Sequence, residues 1–118
     1  MSTYCESDPT GRTAKDAGAK LDGGKPMPDL IIDAMSLALM EVAKVATMGA
    51  NKYSENGWIA VPNGIVRYRR AGDRHRLYRS KSPIDPESHL LHLAHEAWNR
   101  LAELELTLRE TYDTTTNH

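Results

Sequence analysis

The chain has a single cysteine, Cys5, and no phenylalanine. One cysteine excludes an internal disulfide, and its polar surroundings fit a reducing compartment. No apolar run reaches the roughly 20 residues that a membrane-spanning helix needs. Residues 1–6 lack the basic-then-apolar pattern of a secretion signal. The formal charge is −1, from 15 Lys and Arg against 16 Asp and Glu. That balance gives no global attraction to a nucleic-acid polymer or to a membrane surface. CxxC pairs, the P-loop, the dinucleotide-binding glycine pattern, the nucleophile elbow and internal repeats are all missing. These absences point to a cytoplasmic protein with no ready-made catalytic signature.

What is present reads as helical. With 118 residues, 40% of them apolar, one domain with a modest core is expected. Residues 1–17 are polar and too poor in apolar groups to offset the entropy of ordering, so a mobile tail is expected there. A single helical domain is expected over 18–110, and residues 111–118 are expected to fray. Between Gly18 and Pro28 the glycines and prolines forbid a regular element. Glycine N–H groups beside Lys20 and Lys25 either form a solvated linker or suit an anion.

A first long helix is expected from Leu30 to Met48, capped by Asp29 and stopped by Gly49. Asp33, Ser36, Met40 and Lys44 share its one polar face, with Glu41 at the edge. A helix apolar round the rest of its circumference reads as central, which points to a helical oligomer. Glu41 then either pairs with Lys44 or Lys52, or serves as a metal ligand or general base. A second helix is expected from Ile65 to Arg79, weakened by Gly72. Its inward stripe includes His75, a satisfied core histidine or a site residue, while Arg74 shares another face with Arg67 and Arg70. A third helix is expected from Asp85-Pro86 to Arg109. Its buried stripe is expected to hold Leu90, Ala94, Ala97, Leu101, Leu104 and Leu108. Opposite lie His92, Glu96, Asn99 and Glu103, flanked by His89 and His95. That row is either a solvated face or a binding site for a divalent cation. The fold expected is therefore all-α, with three principal helices and long ordered loops.

The segment Gly49-Ala50-Asn51-Lys52-Tyr53-Ser54-Glu55-Asn56-Gly57-Trp58 concentrates a cation, two aromatics with polar handles and two Asn side chains. Asn56-Gly57 marks a turn. Together with Lys20-Leu21-Asp22-Gly23-Gly24-Lys25-Pro26, Arg74-His75, Asp85-Pro86-Glu87-Ser88 and His92-Leu93-Ala94-His95, it resembles the phage and prophage proteins named dATP/dGTP diphosphohydrolases. The resemblance covers about Gly18 to Leu106, with Asn56 one position earlier than in the family's usual pattern.

The resemblance implies cleavage of a purine deoxynucleoside triphosphate between its α- and β-phosphates in a host-cell cytoplasm. It implies Lys20, Asp22, Lys25, Lys52, Tyr53, Asn56, Trp58 and Arg74 as substrate-binding residues. The cations neutralise phosphate, Tyr53 and Trp58 stack on the base, and Asn56 reads its edge. Glu41, His75 and His92 are the catalytic candidates. Glu41, His92 and Glu96 are the candidate ligands for Mg²⁺ or Mn²⁺. Few carboxylates are available for a two-metal site. A second reading is therefore a protein that sequesters a nucleotide or cyclic nucleotide without cutting it, and a third is a helical protein-interaction module. Convergence of Glu41 and Glu96 on His92 would favour hydrolysis, and pairing of these acids with cations would favour binding.

Overall fold

The computed structural model describes residues 6–116, with side chains described through residue 112. Cys5 and the rest of the first five residues lie outside that range, as does the end of the C-terminal segment expected to fray. Among the described residues the regular structure is helical: α1 (Asp29–Ile32), α2 (Ser36–Lys52), a 3₁₀ turn (Gly57–Ala60), α3 (Gly64–Tyr78) and α4 (His92–Thr116). Three of these, α2, α3 and α4, are the principal helices that the apolar spacing predicts.

The chain divides into two compact units after Met35. In the first, hydrogen bonds join residues on both sides of the expected tail boundary. The Asp8 carboxylate accepts from the backbone N–H groups of Thr10 and Lys20, at 2.6 and 2.8 Å. Gly23 N–H donates to the Ser7 carbonyl at 2.7 Å. The expected first long helix is broken at residues 33–35, with α1 in the first unit and α2 opening the second. Asp33 and Ser36 flank the break, and short polar side chains of this kind favour turns and caps over helix interiors.

In the second unit α2 does not stop at Gly49. Tyr53 N–H still donates to the Gly49 carbonyl at 2.9 Å. A mid-helix glycine weakens a helix by about 1 kcal/mol relative to alanine without breaking it. The helix ends instead before a turn that places Asn56 in the left-handed region, at φ 58°, as its Asn-Gly pair predicts.

The main packing in this unit is α3 against α4, with α2 also resting on α4. The contacts run antiparallel. A Cβ on Gly64 would stand 2.9 Å from Leu106, and one on Gly72 would stand 3.1 Å from the Arg100 guanidinium. His75 meets His92 further along. Gly72 thus marks a close approach of two helices. There Arg100 reaches across to the Arg69 carbonyl at 3.3 Å and to Asp73 at 2.6 Å. Trp58, Tyr68 and Trp98 pack edge to face, with centroids 5.5–6.3 Å apart.

Two expectations about faces are overturned. The inward row of α4 is His92, His95, Asn99 and Ala102, at helical spacing. Leu101, Leu104 and Leu108, expected inside, are 50%, 54% and 56% exposed. Small residues explain part of this, since Ala94 and Ala102 let α4 approach its neighbours closely. The polar members are satisfied, because Asn99 donates to the His95 carbonyl at 2.9 Å and the histidines pair as described below. Likewise α2 is not central in the single chain. Val45 is its buried residue, and Leu37 is 86% exposed.

Candidate functional site

The third expected helix does not begin at Asp85-Pro86. Ile84 and Leu91 pair in one antiparallel bridge, closing a loop whose Asp85 N–H donates to the Leu90 carbonyl at 2.8 Å. His89 sits in the left-handed region at φ 62°, which a continuing helix cannot accommodate. The helix starts afresh at His92, whose N–H donates to the Pro83 carbonyl at 2.9 Å. Asp85 still caps, but it caps this tight loop. Its carboxylate accepts from Ser88 N–H at 2.8 Å.

The loop carries Asp85 and Ser88 to the ends of α3 and α4, where His75, His92 and His95 meet. The Nδ1 atoms of His75 and His92 are 2.9 Å apart, so one imidazole donates to the other. The rings of His75 and His95 stack at 4.5 Å, 11° from parallel. His95 Nε2 lies 2.7 Å from Ser88 Oγ and 3.7 Å from the Asp85 carboxylate. Leu90 N–H donates to Ser88 Oγ at 3.1 Å, which leaves the serine's own proton for His95 or Asp85. His92 is 3% exposed.

Electrostatics follow from this crowding. Burial holds His75 below the ordinary imidazole range, reinforced by His95 and His92 and opposed by Asp85. Burial also lowers His95, with Asp85 acting against it. For Asp85 burial acts upward, but the Ser88 hydroxyl and N–H and the facing imidazoles together leave it below the usual carboxylate value. The surroundings therefore favour neutral imidazoles at His75 and His95 and an ionised carboxylate at Asp85.

The other predicted site residues fall as follows. Lys20, Asp22 and Lys25 belong to the first unit, where their backbones form successive turns. Glu41 accepts from Lys44 at 2.6 Å, and Glu96 from Arg79 at 2.8 Å. Each of these acids is thus neutralised by a cation. Among the described residues, the group whose ligand atoms converge is His75, Asp85 and His92, all within 4.8 Å of one another. Lys52 bonds Glu87 at 2.6 Å, tying the end of α2 to the Asp85–Ser88 loop. Tyr53 is 78% exposed with the Lys52 ammonium 5.3 Å from its ring centre. Trp58 is committed to the aromatic trio, and its carbonyl accepts from Tyr68 OH at 2.7 Å. Asn56 and Arg74 are exposed.

An open depression of about 290 Å³ lies elsewhere, lined by Ile59, Val61 and Ile65 near the start of α3 and by Leu106. Asn63, Gly64 and Glu110 complete its lining, and none of the clustered imidazoles reaches it.

A family model described as dATP/dGTP diphosphohydrolase, N-terminal, matches residues 15–115. The chain belongs to this family. No curated protein and no solved structure matches it. The matched span of the dATP/dGTP diphosphohydrolase N-terminal family takes in every member of the histidine cluster and Lys52. Sequence reasoning singled out His75 and His92, placed His95 only as a flank of a candidate cation-binding row, read Asp85 as a helix cap and gave Ser88 no role. Their place in the Asp-Pro-Glu-Ser and His-Leu-Ala-His stretches was the available signal. No helix of the described residues is long and apolar enough to cross a membrane.

Proposed function

We propose that this chain binds a purine deoxynucleoside triphosphate and splits it into the monophosphate and pyrophosphate. The observation that supports this most is the convergence of His75, Asp85, His92 and His95 inside a span matched by a family of that name. In the reaction a water oxygen bonds to the α-phosphorus and the α–β anhydride bond breaks. Pyrophosphate leaves, and the water's proton passes to the imidazole cluster, the usual side chain for that task near neutral pH. Lys52, drawn toward the cluster's loop by Glu87, exchanges that carboxylate for a phosphate when the triphosphate arrives. Mg²⁺ or Mn²⁺ accompanies the triphosphate as its counter-ion.

A second reading, sequestration without turnover, draws support from a different observation. Glu41 and Glu96 are paired with Lys44 and Arg79, which leaves Asp85 as the carboxylate of the cluster. The two readings separate in one experiment. The pure protein is titrated with dATP and dGTP, and products are followed with Mg²⁺ or Mn²⁺ present. Turnover to monophosphate and pyrophosphate supports the enzyme. Saturable binding with intact triphosphate moves the assignment to sequestration, and no binding removes both.

We further propose that the chain works as a homo-oligomer, joined through the apolar outer stripe of α4. Leu93, Ala97, Leu101, Leu104 and Leu108 recur at helical spacing, and the four leucines are at least half exposed.

A further inference from the structure

We infer that His75, Asp85 and His92 form a binding site for one first-row transition-metal dication of six-coordinate preference, such as Mn²⁺. The site differs from the acid-based one that the sequence suggests, and it binds its ion with no nucleotide present.

The first argument is the donor set. Two imidazole nitrogens and one carboxylate oxygen come within 4.8 Å of one another. Mg²⁺ takes oxygen donors and keeps much of its water, so two nitrogens select against it. Imidazole with carboxylate suits Mn²⁺, Fe²⁺, Co²⁺ or Zn²⁺, and two histidines with one carboxylate on one side of an ion leave open positions opposite.

The second argument is geometric. His75 Nδ1 and His92 Nδ1 are 2.9 Å apart. Two nitrogens each about 2.1 Å from a metal stand about 3.0 Å apart at a right angle and about 3.4 Å apart at the tetrahedral angle. A hydrogen bond between the rings sets this spacing, and an ion taking the proton's place would part the two nitrogens by roughly 0.1–0.5 Å.

The third argument is the support behind the donors. Asp85 is oriented by Ser88 N–H at 2.8 Å. The His75 ring is held flat against His95 at 4.5 Å. His92 is buried and anchored by its backbone to Pro83. Partners of this kind fix ligands before the ion arrives. One carboxylate against a dication leaves a net charge of +1 over the open positions, which attracts phosphate oxygens. The field of Arg74 at His75 opposes the ion, and the Asp85 carboxylate counters it.

The test uses the full chain stripped with a chelator and then titrated calorimetrically with Mn²⁺, Zn²⁺ and Mg²⁺, without nucleotide. The expected result is one Mn²⁺ per chain, at least tenfold tighter than Mg²⁺. Asp85→Asn and His75→Gln should each weaken Mn²⁺ by more than about 100-fold, beyond the 10–100-fold typical of outer-shell changes. Glu41→Gln and Glu96→Gln should leave Mn²⁺ affinity unchanged. Co²⁺ substitution reports geometry through its visible bands, weak if six-coordinate and intense if tetrahedral. No saturable Mn²⁺ binding would reduce the pair to a plain imidazole–imidazole hydrogen bond and overturn the inference. Loss of affinity in the Glu41 and Glu96 variants alone, or an intense tetrahedral Co²⁺ spectrum, would also overturn it. A protein that binds Mn²⁺ here but does not turn over dGTP leaves the metal site standing and removes only the hydrolytic reading.

Discussion

Replacing Leu101 and Leu104 together with glutamate tests whether the outer stripe of α4 is an interface. In the single chain these side chains are 50% and 54% exposed, so substitution should leave the monomer's packing largely intact. Glutamate is also a good helix former. Fully burying a leucine contributes about 1.5–3 kcal/mol, so covering the exposed half of each contributes about 1 kcal/mol. Two residues on each of two copies give about 4 kcal/mol, or about a thousandfold in the dissociation constant. The introduced carboxylates add a desolvation penalty, so this figure is a lower bound. Sedimentation velocity across a concentration series is the assay, with far-ultraviolet circular dichroism as the check on helix content. The native chain should sediment as an oligomer at micromolar concentration and the variant as a helical monomer. A native chain that stays monomeric at high micromolar concentration would refute the reading of the leucine stripe as an interface.

Three further outcomes are expected. Gly72→Leu should destabilise the chain by about 1–3 kcal/mol in thermal melts through overpacking against Arg100. In Gly72→Ala the gain in helix propensity of about 1 kcal/mol should offset much of the Arg100 displacement. Lys52→Ala should weaken dGTP binding in a calorimetric titration, whereas Glu87→Gln should strengthen it by freeing the lysine from its carboxylate. In the first unit, the hydrogen bonds from Thr10 and Lys20 hold the Asp8 carboxyl below its ordinary value. Their stabilisation is therefore complete above the unfolded carboxylate pKa and lost as pH falls through the lower folded value. Hydrogen exchange at the Lys20 amide, corrected for intrinsic rate, should lose protection over that acidic window, and Asp8→Asn should remove the pH dependence.

Helix identity was legible in the sequence, because apolar spacing and the Asn-Gly turn report local backbone preference directly. Which face of α4 points inward was not. The leucine stripe is the stronger apolar signal, but a single chain does not bury it. The histidine row is buried because His92 pairs with His75, His95 pairs with Ser88 and Asn99 bonds the helix backbone. A periodicity rule assigns burial to hydrophobicity and has no access to polar side chains that find partners on other elements. Gly72 was legible only as a weak point, since the cause is the Arg100 side chain brought there by α4. At the site, His75 and His92 were found by position. Asp85 was hidden because an Asp-Pro pair is a good helix start, and only the left-handed backbone at His89 turns that segment into a loop facing the histidines.

The measurement that bears most directly on the central claim is a phosphorus NMR time course of dGTP with the native protein and Mn²⁺ at catalytic concentration, or Mg²⁺ in a parallel sample. The triphosphate resonances should decline as those of dGMP and pyrophosphate rise together, and the reaction should slow severely in Asp85→Asn. A triphosphate spectrum that stays unchanged over many hours, or products of dGDP and free phosphate, would contradict that claim.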